Sequence, residues 1–95
     1  MKRGEIYSAK NIHPNTLINV VVIQKHNDHD TVAVCPVVNE KCESTVSVDI
    51  NGKEIYIDVK QLYTCNESDL LNKICKISSS IVDDISNACI STILG

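Results

Sequence analysis

Apolar residues fall in short runs or alternate with polar ones through most of this chain and recur at every third or fourth position near its end, a pattern that predicts short strands followed by one helix. Glu5-Ile6-Tyr7-Ser8-Ala9 reads as a short strand entered from Gly4, and residues 11–16, with Pro14, read as a loop. Residues 17–25 (LINVVVIQK) form a run rich in valine and isoleucine between turn formers, which predicts a central strand buried on both faces. Residues 26–30 are a polar turn and Thr31–Val38 the returning strand, with Pro36 marking a bend or an edge near its end. Thr45–Ile50 and Lys53–Val59 alternate apolar and polar positions around Asn51-Gly52, the strongest short-range hairpin signal a sequence carries.

Gln61–Cys65 continues as a short strand. Asn66 is placed to cap a brief helix over 67–71, with Asp69 three residues on, and Lys73–Ile77 reads as its extension or as another strand. From Ser80 to Leu94 the apolar positions Ile81, Ile85, Ala88, Cys89 and Ile93 are three and four apart, and Ser80 with Asp83 has capping-box spacing, so the chain is expected to close with an amphipathic helix. Consecutive short strands with a terminal helix predict a mainly β fold, a small, strongly bent antiparallel barrel closed on one side by the helix. No linker or repeat interrupts residues 1–95, which are expected to form a single domain.

Composition sharpens this picture. There is no Phe or Trp and there are only three tyrosines, so the core is expected to be aliphatic. At 95 residues such a domain buries only about two thirds of its unfolded surface, which makes a homodimer a reasonable expectation. The five cysteines, odd in number and irregularly spaced with no CxxC pair, are read as reduced thiols that pack as small hydrophobes in a cytoplasmic protein. No apolar run reaches the roughly twenty residues of a membrane span. The net charge of -3 means that any basic surface must be local, and Arg3 is the only arginine.

Several strings together resemble one family. MKRGEIY at the start, VVVIQ in the second strand, DTVAVCPVV in the third, KQLYTCNESDLLNKICKIS and the closing ISTILG are similar to the corresponding segments of the MazF/PemK toxins of bacterial type II toxin-antitoxin systems. The resemblance implies an SH3-like, CcdB-like barrel that dimerises. It also implies cleavage of single-stranded mRNA without metal or other cofactor, and an antitoxin that lays an extended segment in the groove. Such cleavage needs a base for the ribose 2′-hydroxyl, an acid for the leaving oxygen and a cation or donors for the charged phosphorus centre.

Carried over by position, the family's Arg-Pro-Val string falls on Ile18-Asn19-Val20 and its threonine or serine at the end of the third strand falls on Val38. A second family arginine falls on Tyr63, while Gln61 and Thr64 are retained, and the family's glycine-rich loop is reduced to NIHPNT. With aliphatic residues at both catalytic positions the ordinary family mechanism is not expected. His13, in that shortened loop, is a candidate replacement base, set against the plainer reading of a solvated loop histidine. Lys25, Lys60, Gln61 and Tyr63 are candidate RNA contacts, through phosphate pairing and base stacking, set against an exposed strand edge. Gln24 reads as a structural hydrogen-bonding residue. His26, Asp28, His29 and Asp30 could in principle hold a metal, but such residues gather at turns for solubility, so no metal site is assigned. Two readings follow: a diverged toxin-module endoribonuclease with altered chemistry, or a non-catalytic barrel dimer that binds an antitoxin-like peptide or nucleic acid.

Overall fold

A computed structural model describes residues 2–26 and 30–94, the side chains of 92–94 excepted. Seven strands, β1 (Glu5–His13), β2 (Thr16–Lys25), β3 (Thr31–Val38), β4 (Thr45–Ile50), β5 (Lys53–Asp58), β6 (Tyr63–Asn66) and β7 (Leu70–Lys76), precede one helix, α1 (Ser79–Leu94). The strands pair antiparallel in the order β4-β5-β3-β2-β1-β7, and β6 also pairs with β3.

β2 explains the fold. Its side chains alternate between two apolar clusters on opposite faces of the sheet, as the pleat requires. Val21 and Ile23 point into one, with Ile6, Cys35, Ile57, Val82, Ile85 and Cys89, which fills the space between the sheet, α1 and the β4–β5 hairpin. Val20 and Val22 point into the other, with Ala9, Val32, Val34 and Leu70. Val20, Val21 and Val22 are all fully buried, so an unbroken valine run is what two-sided burial demands, each contributing about 1.5–3 kcal/mol.

The second cluster is enclosed because the sheet curls. β6 leaves the outer edge of β3, a single 3-10 turn (Glu67–Asp69) follows, and β7 then pairs with the far side of β1. Five strands, β6-β3-β2-β1-β7, thus wrap the cluster with a one-turn link across the gap. Among the described residues no strand pairing joins β6 to β7 or β4 to β7, so the strongly bent antiparallel sheet does not close into the continuous barrel that was expected. On β3 the partner changes from β6 (at 31–34) to β5 (at 37–38), and the change falls at Pro36, which has no N–H to donate.

Four further expectations need correction. The loop expected at 11–16 is mostly hairpin: Asn11, at φ 65°, takes up an irregularity in the β1–β2 register, and Pro14-Asn15, with Asn15 at φ 59°, makes the turn. The helix expected at 67–71 is only the 3-10 turn, without a side-chain cap from Asn66, because the backbone from Leu70 onward pairs with β1 instead. The expected Ser80 cap is displaced, since α1 begins at Ser79 with Val82 N–H bonded to the Ser78 carbonyl at 3.1 Å, and Asp83 accepts from Arg3. The helix's inner face also includes Val82, 1% exposed, which the three-and-four spacing had passed over.

The N-terminus is tied in tightly. Gly4, at φ 90°, donates to the Val22 carbonyl at 2.8 Å and accepts from Ile77 N–H at 3.0 Å; a Cβ there would sit 2.7 Å from Val82 Cγ2. Arg3 next to it donates from Nε to the Ile23 carbonyl at 3.0 Å and from its two terminal nitrogens to Asp83 at 2.7 Å and Ser86 at 2.8 Å. One guanidinium therefore clamps β2 to α1.

Candidate functional site

β2 and β3 pair Val20 with Pro36 and Val21 with Cys35. The ladder ends at the Val20–Pro36 pair, two residues short of Ile18 on β2 and of Val38 on β3. Ile18 is half-buried against the second cluster, while Val38 is half-buried and paired with Tyr56 of β5. The two aliphatic residues thus lie just beyond the same end of the β2–β3 ladder.

Beside them lies a connected polar chain that brings together several residues singled out in the sequence. Asp58, the last residue of β5 and only 8% exposed, accepts Lys60 N–H at 3.0 Å on one carboxylate oxygen and Gln61 Nε2 at 2.7 Å on the other. The Gln61 side-chain carbonyl accepts from the Tyr63 hydroxyl at 2.6 Å. The Tyr63 ring, packed on the same cluster as Ile18, meets the His13 ring edge-on, with centroids 6.2 Å apart and planes at 72°. A buried carboxylate therefore orients an amide, the amide orients a phenol, and the phenol's ring abuts the histidine at the tip of the β1–β2 hairpin. That tip also forms a shallow concavity of about 280 Å³ lined by Lys10, Asn11, His13 and Thr16. Among the described residues no ion pair engages Lys10 or Lys60, and both are exposed.

Lys25 is engaged by Glu67 and lies far from Ile18. It lies seven residues beyond Ile18 on β2, about 23 Å along an extended strand, and its ammonium is 3.2 Å from Glu67. Arg3 is likewise remote, since the carbonyl it grips belongs to Ile23, five residues or about 17 Å beyond Ile18. Gln24 is exposed and lines a groove beside α1. The metal alternative falls partly outside the described residues, at Asp28 and His29, and no cluster able to hold a metal occurs among those described.

Sequence reasoning missed Asp58 and Lys10. Asp58 breaks the apolar succession of a strand otherwise read as alternating and stands three residues before Gln61, a signal that could have flagged it. Lys10 gave none, because only the extended hairpin sets it beside His13.

A second ionic cluster sits on the β1–β7 seam. Glu5, 6% exposed, accepts from Lys2 N–H at 2.5 Å and the Tyr7 hydroxyl at 3.1 Å, and its other oxygen is 2.5 Å from the Lys73 ammonium. The Lys73 hydrogen bond, opposed by burial, brings the Glu5 carboxyl down to about 2. Burial, then the hydrogen bond to Glu5, pushes the Tyr7 phenol up. Two oppositely charged partners within bonding distance on neighbouring strands make this a structural pair.

With this geometry in place, comparison with solved structures becomes informative. A mycobacterial endoribonuclease solved in complex with its cognate antitoxin superposes with a TM-score of 0.78 over 98% of this chain and 94% of its own, at 11% identity. The Mycobacterium tuberculosis toxin MazF-mt6 superposes at 0.70 over 94% and 95% of the two chains, at 17% identity. The fold is that of the MazF toxins. At these identities the likeness carries the MazF fold alone, and no protein-family model and no curated protein matches the sequence. Among the described residues no helix is long and apolar enough to cross a membrane.

Proposed function

We propose that this chain is a diverged MazF/PemK-type toxin-module protein that retains the fold's groove as a binding surface and has lost the family's phosphoryl-transfer centre. The observation that supports this reading is that Ile18 and Val38, both aliphatic and half-buried, stand at the two positions where the resemblance calls for a cation and a hydroxyl. Loss of one preorganised donor to a charged intermediate costs about 10²–10³ in rate, and here the cation and the hydroxyl go together. Arg3 cannot compensate, being held by Ile23, Asp83 and Ser86 at the other end of β2.

What remains suits recognition. The tethered Tyr63 and the adjacent His13 offer rings on which a base can stack, and the exposed Lys10 and Lys60, in no ion pair among the described residues, offer ammonium groups for phosphate. Single-stranded RNA is the ligand this chemistry favours, and an antitoxin-like extended peptide is the family's alternative occupant; a homodimer is the expected assembly. His13 beside Tyr63 supports a second reading, in which a new base has replaced the old centre, and the same experiment separates the two.

Fluorescence anisotropy with labelled single-stranded RNA in metal-free buffer, followed by a denaturing gel of the recovered RNA, tests both. The proposal expects salt-sensitive binding, weakened about 5- to 100-fold by Tyr63→Ala, with the RNA intact. Cleavage that His13→Ala abolishes would establish the second reading. Absence of binding to RNA and to an antitoxin-like peptide would refute the binding reading.

A further inference from the structure

Cys35 and Cys89 are far apart in the chain, yet their sulfurs lie 3.4 Å from each other. Cys35 is in the middle of β3 and fully buried; Cys89 is on the inner face of α1 and 3% exposed. The gap exceeds a disulfide bond by only about 1.4 Å. Buried thiols are ordinarily small hydrophobes. This pair differs in its access. Cys89 also lines an open groove of about 270 Å³ between α1 and the sheet, whose walls include Arg3, Ile23, Ala33 and Leu62. Cys89 therefore borders open space while Cys35 lies behind it in the core.

We propose that Cys35 and Cys89 are a paired oxidation site that closes to an intramolecular disulfide on reaction with hydrogen peroxide. The Cys89 thiolate attacks a peroxide oxygen, the O–O bond breaks, and the departing hydroxide takes up a proton and leaves as water, so that Cys89 carries a sulfenic acid. Cys35 then displaces the sulfenic hydroxyl, which leaves with the Cys35 thiol proton as a second water. Two thiols lose two electrons and the peroxide is reduced to two waters. The first attack belongs to Cys89 because, of the two, it is the one that lines the groove; burial, then the neighbouring thiol, pushes the Cys35 thiol up. The bond staples β3, the strand that ends at Val38, to the helix, across a cluster otherwise held by packing and by the Arg3 clamp.

The test is hydrogen peroxide treatment of the whole protein, quenching with an alkylating reagent, and peptide mapping by mass spectrometry without reduction. A peptide pair joined through Cys35 and Cys89, lighter than the sum of its parts by two hydrogens, is expected. Oxidised protein should melt at a higher temperature, reversed by a thiol reductant. In Cys35→Ala, Cys89 should stop at a sulfenic acid that dimedone traps. The wild-type map decides by itself should that variant fail to fold: Cys35 and Cys89 both recovered unlinked while exposed Cys42 is oxidised, or links only between copies of the chain, would overturn the proposal.

Discussion

Replacing Glu5 by glutamine removes one charge from a buried, fully bonded site and leaves the shape unchanged. The carboxyl titrates at about 2 instead of 4.5, and at 1.36 kcal/mol for each tenfold step this corresponds to about 3 kcal/mol favouring the folded, ionised form. The Lys73 side chain is 51% exposed, so water screens the pair and lowers the expected effect to about 2 kcal/mol. Because the folded carboxyl is depressed, its contribution is complete above about pH 4.5 and disappears as the pH falls towards about 2. Urea unfolding of wild type and Glu5→Gln across that range should show curves about 2 kcal/mol apart at neutral pH that converge in acid. In parallel, the Tyr7 phenol, held up in part by the Glu5 carboxylate, should titrate lower in the variant by ultraviolet absorbance. A difference in stability that is absent at neutral pH, or that persists unchanged below pH 3, would refute the assignment of this pair.

Other expectations are simpler. Gly4→Ala must accommodate both a positive φ and a Cβ 2.7 Å from Val82, and should cost about 2–4 kcal/mol in thermal or urea unfolding. Arg3→Met removes the clamp between β2 and α1 and should cost about 1–2 kcal/mol, with faster amide exchange in α1 and no change in RNA affinity. Asp58→Ala leaves Gln61 without its acceptor, so stability should fall by about 1–3 kcal/mol and RNA affinity should fall with it, whereas Lys25→Ala should leave affinity nearly unchanged.

The elements most legible in the sequence are those set by local chemistry. Asn51 and Gly52 take the positive φ values, 53° and 83°, that the hairpin turn needs, and Ile50 pairs with Lys53 across them. The valine run of β2 and the spacing of Ile85 and Cys89 on α1 reflect burial that each element carries on its own face. What was illegible depends on distant partners. Leu70–Lys76 is a strand because β1 is there to receive it, although its first residues read as helix. His13, Gln61 and Tyr63 were visible singly, but the Asp58 carboxylate that joins them is set by the crossing from β5 to β6. The aliphatic residues at Ile18 and Val38 stood out only against the family resemblance, and the β2–β3 register sets both just beyond the same end of that ladder.

Incubation of a long single-stranded RNA in metal-free buffer with wild type and with the double variant Ile18→Arg/Val38→Thr tests the central claim most directly. Ile18 is only half-buried at the strand's end, so an arginine stem can lie along the cluster with its charge in water. The expected result is intact RNA with the wild type and metal-independent cleavage with the repaired variant. Cleavage by the unaltered protein at a rate matching or exceeding that of the variant would contradict the loss of the phosphoryl-transfer centre.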